Sequence, residues 1–140
     1  MATYTVTGAV AGVPLGIKPQ IVEVVLDFSS TNLTTSDSVE VIEMKANTLV
    51  LGAGVEILTA TSNSGCVIDL GDDSDDDLYV SALDATGTNH ESNSADGTRK
   101  LYTSADTIDM IVNSATFDGK CRVYAIIAEL GTAETAASFA

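Results

Sequence analysis

Apolar and polar positions alternate with a period of two along much of the chain, and no segment longer than a few turns carries the period of an amphipathic helix. Strands are therefore expected to carry the fold. In QIVEVVLDF (20–28), Val22, Val24, Leu26 and Phe28 fall on one side while Glu23 and Asp27 fall on the other, the pattern of a half-buried strand. SVEVIEMK (38–45) is a second strand. TLVLGAGVEILTA (48–60) is a long apolar strand containing Gly52 and Gly54, and glycine inside a strand marks a bulge, a bend or a close backbone approach. Further strands are expected over GCVIDL (65–70), Arg99 to Thr103, Asp106 to Asn113 and KCRVYAIIAEL (120–130). The span from Asp84 to Thr98, DATGTNHESNSADGT, is too rich in turn formers to be core, and a surface connection is expected there.

The chain also echoes itself. Thr35 to Ile42, TSDSVEVI, leads through a turn into a longer apolar strand, and Ser104 to Ile111, SADTIDMI, does the same through FDGK. Two such units fit two facing sheets. The predicted fold is all-β, a single-domain antiparallel β-sandwich of the jelly-roll kind, with an N-terminal arm over 1–19, the sandwich over 20–130 and a C-terminal tail or arm over 131–140. Phe139, the one aromatic residue of GTAETAASFA, suits an arm that orders on a neighbour.

One short stretch concentrates charge. GDDSDDDLYV (71–80) holds Asp72, Asp73, Asp75, Asp76 and Asp77 where the chain leaves a strand at Leu70 and resumes at Leu78 and Tyr79. An EF-hand loop needs glycine at its sixth position and a bidentate glutamate at its twelfth. Starting at Asp72 puts Asp77 and Leu83 there, and starting at Asp73 puts Leu78 and Asp84 there, so neither register fits. Two readings stand: an acidic turn held in water, or a looser calcium site built from Asp73, Asp75 and Asp77. No other metal or cofactor is expected.

Composition narrows the function. Twenty acidic against six basic residues give a formal net charge of -14. The cations, Lys18, Lys45, Arg99, Lys100, Lys120 and Arg122, form no run longer than a pair. Nucleic-acid binding, which needs a basic face, and adhesion to anionic membranes are therefore not expected. The opening stretch has no positive start and no sustained apolar run, so no secretory signal is expected, and no window is long and apolar enough to span a bilayer as a helix. Cys66 and Cys121 sit in alternating apolar runs and read as buried thiols. His90, between Asn89 and Glu91, reads as an exposed loop residue. No nucleophile elbow, phosphate-binding loop, zinc spacing or dinucleotide fingerprint occurs, and an enzyme is not expected.

The order of segments carries a resemblance. SDSVEVIEMKANTLVLGAGVEILTA, VIDLGDDSDDDLYVSALDA, YTSADTIDMIV and FDGKCRVYAIIAEL, spanning about Thr34 to Leu130, are together similar to the small virion proteins of tailed bacteriophages. Many of these are capsid decoration or cement proteins. The aspartate loop departs from theirs in lacking the glycine often seen near its end. The resemblance implies a compact β-sandwich that sits as a homotrimer on the outer surface of the capsid, is made in the host cytoplasm and binds the major capsid protein. Edge strands and the two terminal segments are the expected attachment elements. The alternative is a receptor- or carbohydrate-binding sandwich of a fibre or spike, which the lack of tryptophan disfavours.

Overall fold

The computed structural model describes residues 18–92 and 99–131. Among these residues there are nine strands and no helix: β1 (Gln20–Asp27), β2 (Ser38–Met44), β3 (Thr48–Thr59), β4 (Val67–Asp72), β5 (Asp75–Asp84), β6 (His90–Ser92), β7 (Lys100–Tyr102), β8 (Asp106–Asn113) and β9 (Lys120–Glu129). They build two antiparallel sheets. The first runs β1-β9-β3-β6 with β7 also on β3, and the second runs β2-β8-β4-β5.

The pairing has a simple logic. β4 pairs with β5, β3 with β6 and β7, β2 with β8, and β1 with β9, so the chain is one long antiparallel ribbon folded at the β4–β5 turn. Wrapping that ribbon around a core sends successive pairs to alternate sheets and brings β9 against β3 and β8 against β4. This is a jelly roll with its sixth ribbon position split into β6 and β7. The aspartate-rich stretch lies at the tip of the ribbon.

Side-chain parity fixes which faces meet. Val50, Ala53, Val55, Ile57, Val123 and Ala125 point inward from the first sheet, and Ile68, Leu70, Tyr79, Val80, Ile108, Met110 and Val112 from the second, all essentially inaccessible to water. On β1, Val22, Val24 and Leu26 pack partly against this core, while Ile21, Glu23, Val25 and Asp27 face out, as the alternation predicts.

Two glycines of β3 do what the pattern suggested. The β3–β9 register shifts between Val50 and Gly52, a bulge that bends the strand. A Cβ on Gly54 would fall 2.6 Å from Tyr124 Oη and 2.8 Å from the Glu91 carbonyl, so this glycine lets the Tyr124 ring cross β3.

Three expectations need correction. The chain does not stay in a loop until Leu78: β4 extends to Asp72 and β5 begins at Asp75, so four of the five aspartates of the stretch are strand residues. The polar span after Asp84 contributes the short strand β6 and buries Ala85, whose N–H donates to the Cys66 carbonyl and whose carbonyl accepts from Thr61 N–H. The halves of the internal echo do not each build one sheet; β2 pairs with β8 and β3 with β9, so each half gives a strand to both sheets. The predicted arms lie outside the described residues apart from 18, 19 and 131.

Candidate functional site

The tip of the ribbon is a tight turn, Asp72-Asp73-Ser74-Asp75, in which Asp72 and Asp75 are paired. Gly71 makes the return possible, because a Cβ there would sit 2.0 Å from the Asp75 carbonyl oxygen. Asp72 Oδ1 accepts the Ser74 N–H at 2.9 Å, the Ser74 hydroxyl at 2.7 Å and the Asp75 N–H at 3.0 Å. Its other oxygen points into the sandwich. There Oδ2 accepts Lys100 Nζ at 2.6 Å and Tyr102 Oη at 2.7 Å, both from β7 of the opposite sheet.

Asp72 is thus fully buried yet saturated with donors. Burial pushes its carboxyl upward, but the bonds from Lys100, Tyr102 and Ser74 together outweigh it and hold the group well below the ordinary carboxylate range. Tyr102 spends its proton on Asp72, so Tyr79, 2.7 Å away, donates to the Tyr102 oxygen. Burial raises the Tyr79 hydroxyl to about 12. The Lys100 ammonium also lies 4.7 Å from the centre of the Tyr102 ring. This chain of bonds ties the ribbon tip to the far sheet. With no lone pair left for a ligand, Asp72 is a structural clamp.

The other aspartates of the stretch diverge. Asp77 donates its N–H to Asp75 Oδ1 at 3.3 Å and accepts from Ser81 Oγ at 3.1 Å; a carboxyl–carboxyl hydrogen bond with Asp77 raises the Asp75 carboxyl. Asp73 instead faces β8, beside Asp109. Among the described residues no three His, Cys, Asp or Glu side chains form a group able to hold a metal ion, and Asp73, Asp75 and Asp77 are not brought together as one.

Asp73 lines a shallow groove of about 500 Å³ with Glu40, Glu43, Met44, Lys45, Asp106 and Thr107. Asp109 stands directly across the β2–β8 ladder from Glu40 and is only 8% exposed. It accepts from Thr107 Oγ1 at 2.6 Å. Burial, then the charges of Asp73 and Glu40, raise the Asp109 carboxyl. The strands of this second sheet carry Glu40, Glu43, Asp69, Asp72, Asp75, Asp76, Asp77, Asp84, Asp106 and Asp109 and no lysine or arginine.

Asp69 has a local task. Its Oδ1 accepts the Ala82 N–H at 2.7 Å, and its Oδ2 accepts Asn113 Nδ2 at 2.6 Å. Ala82 has a left-handed φ of 55° where the β4–β5 register slips between Ile68 and Leu70. The carboxylate replaces the ladder bond that the bulge removes.

The outer face of the first sheet differs. Arg122 on β9 bonds Glu56 Oε1 on β3 at 2.7 Å and lies 3.4 Å from Glu23 on β1, so three strands share one cation. His90 is exposed as expected, and its Nε2 lies 2.6 Å from Tyr124 Oη with the two rings stacked at 5.7 Å. Among large apolar side chains, Ile21 is 71% exposed, Leu101 47%, Val25 46% and Leu130 39%. Cys66 and Cys121 are free and buried, and burial raises their thiols to about 11 and about 12, which leaves them unreactive.

Sequence reasoning missed the partners of Asp72 and the exposed apolar positions. Lys100 and Tyr102 lie 28 and 30 residues beyond it, on the other sheet, and no local spacing links them. Ile21 and Val25 were visible as apolar residues in phase with Glu23 and Asp27 on the outward side of β1.

No protein-family profile matches the chain, and no curated protein matches it. Solved structures do. A chain of the capsid asymmetric unit of cyanophage Pam1 is similar at a TM-score of 0.63 and 22% identity, over 93% of this chain and 99% of that one. A chain of the capsid of Ralstonia phage GP4 is similar at 0.61 and 11% identity, over 94% and 93%. A chain in the acidic stable capsid structure of Helicobacter pylori bacteriophage KHP30 is similar at 0.60 and 12% identity, over 81% and 89%. The shared property is the fold, an all-β sandwich spanning nearly the whole of each chain.

Proposed function

We propose that this protein is a structural, non-enzymatic component of a bacteriophage virion that decorates the outer surface of the capsid as a homotrimer and stabilises it by binding across major capsid protein subunits. The observation that carries this reading is the near end-to-end likeness to chains of three phage capsids. The likeness covers 81–94% of this chain and 89–99% of each of those chains.

The charge distribution supports the outward placement. A sheet whose strands expose Glu40, Glu43, Asp75, Asp76, Asp77 and Asp84 and hold no cation suits the solvent side of a shell around polyanionic nucleic acid. The stabilising action is mechanical: contacts that bridge capsid subunits must be broken before the shell ruptures, so bound copies raise the barrier to bursting. Because each copy brings a charge of -14, neighbouring copies repel, and the repulsion reaches further as salt falls, with a Debye length of roughly 10 Å at 0.1 M and about 30 Å at 0.01 M. Attachment is expected to be apolar at its centre and tighter at moderate than at very low salt.

The test compares particles with and without the protein, by electron microscopy for its position and by DNA release on heating for its effect. Stripped particles should release DNA at a lower temperature, and added protein should restore the difference. Equal release temperatures across the salt range would refute stabilisation and turn attention to host adsorption, the property of a receptor-binding sandwich.

A further inference from the structure

Among the described residues, β1 pairs with β9 alone, in a register that runs unbroken from Gln20 to Asp27 with no bulge to blunt it. Its other side is a straight backbone edge whose N–H and carbonyl groups are free to take a further strand. Its side chains are short of cover on both faces. Outward, Ile21 is 71% and Val25 46% exposed. Inward, Val22, Val24 and Leu26 are only half-buried, although their partners in the β9 ladder, Ala125, Val123 and Cys121, are fully buried. An edge position does not by itself explain this, because β5, an edge of the second sheet, buries Tyr79, Val80 and Leu83 to 5% exposure or less.

The chain carries a segment suited to that edge. Residues 1–17 lead directly through Lys18 and Pro19 into β1, and they hold no charged residue in a protein of net charge -14. Their first part, ATYTVT (2–7), alternates as a strand does: Tyr4, Val6 and, further on, Val10 share one phase, and Thr3, Thr5 and Thr7 share the other. AGVPLG (11–16) follows, and Val13-Pro14-Leu15-Gly16 has proline and glycine at the second and fourth positions, as a type I turn favours. Strand, turn and strand in immediate succession are the order of a hairpin. The remaining segments fit less well. Residues 132–140 have a single large apolar side chain, Phe139, and 93–98 join β6 to β7 on the far side of the sheet.

We infer that residues 3–10 pair with the free edge of β1 in the same chain, with Tyr4, Val6 and Val10 extending the cover over Val22, Val24 and Leu26 and with the threonines standing beside Ile21 and Val25. An uncharged strand meets no repulsion from Glu23 or Asp27, and the short connection to β1 holds it at high effective concentration. The same strand from a second copy would bring a body of charge -14 with it. The consequence is for assembly. With its ladder closed, β1 has no free edge to offer a capsid protein, and attachment falls to another surface. The inference concerns the free protein and stands apart from the virion reading.

Paramagnetic broadening in the full chain tests it. Cys66 and Cys121 are buried, so a nitroxide reagent modifies the new thiol of Thr5→Cys alone. The label should broaden the amide signals of β1 and leave those of β5 sharp. In an equimolar mixture of isotope-labelled, unmodified chain with spin-labelled chain of natural abundance, β1 should stay sharp. Val6→Pro removes an N–H and breaks the added strand, so the edge amides of β1 should exchange with solvent about tenfold faster than in wild type. Should Val6→Pro fail to fold, Val6→Asp takes its place. Sharp β1 signals in the labelled chain, or unchanged exchange in the variant, would overturn the inference. Broadening of β1 in the mixture would overturn it too, and would assign the edge to the segment of a second copy.

Discussion

On the outer face of the first sheet, Glu23 and Glu56 flank Arg122, and Ile21, Val25 and Leu101 are exposed. On the second, Glu40 stands across the ladder from Asp109 with Asp73 beside them and no cation on any strand of the sheet. The same fold thus disposes of acid in two ways, by sharing a cation on one face and by leaving carboxylates without one on the other, exposed at Glu40 and Asp73 and buried at Asp109. Asp72 is the exception that joins them: it belongs to the acidic sheet but takes its cation, Lys100, from the other. The comparison teaches that net charge says little about how a surface will behave; what matters is which carboxylates have a donor within reach.

Removing the link between the sheets should have the largest effect. Asp72→Ala leaves Lys100 and Tyr102 without their acceptor and the ribbon tip without its cap, and the expected loss is about 3–5 kcal/mol in denaturant unfolding. The pH dependence has a definite sign. The folded-state carboxyl lies below its unfolded value of about 3.9, so its contribution is complete above that pH and is lost as pH falls toward the depressed value. The gap between wild type and variant should be constant from neutral pH down to about 5 and shrink below about 4. Unchanged stability at pH 7 would mean that the buried pair contributes nothing.

Tyr79→Phe tests the outer member of the same chain. It removes the donor to Tyr102 and leaves the Tyr102–Asp72 bond in place, so a loss of about 1 kcal/mol is expected in the same measurement. In Asp72→Ala the Tyr102 hydroxyl has already lost its acceptor, and the two changes should not add. Strict additivity would show that the hydroxyls do not act as a unit.

Much of this was legible in the sequence, and the remainder has identifiable physical causes. Seven strands were visible because each alternates or stays apolar long enough to declare its period. β5 was hidden by its first three residues, since Asp75, Asp76 and Asp77 are poor strand formers that only the pairing with β4 holds extended. The bulge at Ala82 then breaks the alternation of the rest. β6 is three residues long and too short for any period. The aspartate stretch was visible as a site of interest but not as three environments, because the difference between buried Asp72 and exposed Asp76 is set by β7, which meets them only through the wrapping of the ribbon.

The acidic face can be relieved as well as broken. Asp109→Asn removes one of two like charges facing each other and keeps the shape of the side chain. A gain of about 0.5–1 kcal/mol is expected at pH 7. Here the sign is the reverse of Asp72: burial and the neighbouring carboxylates raise the folded-state carboxyl, so the ionised group destabilises above that value and the penalty disappears as pH falls through it. The gain should be present at neutral pH, vanish in acid, and diminish with added salt. A loss of stability at pH 7 would show that the Thr107 bond outweighs the repulsion.

The smallest effect belongs to the face where charge is already matched. Arg122→Gln removes the cation shared by Glu56 and Glu23, but its side chain is 39% exposed and those of Glu56 and Glu23 are 38% and 59% exposed, so water and salt screen both pairs. An exposed pair of this kind contributes about 0.2–1 kcal/mol, and the expected loss lies at the lower end of that range at physiological ionic strength. The more telling readout is association. With Arg122 gone, Glu23 and Glu56 are uncompensated, and the first sheet acquires the character of the second. Self-association measured by sedimentation should then weaken more steeply on lowering the salt than in wild type. Equal salt dependence in the two proteins would mean that matching acid with a donor on this face is irrelevant to how copies meet, and that the contrast between the faces is one of stability alone.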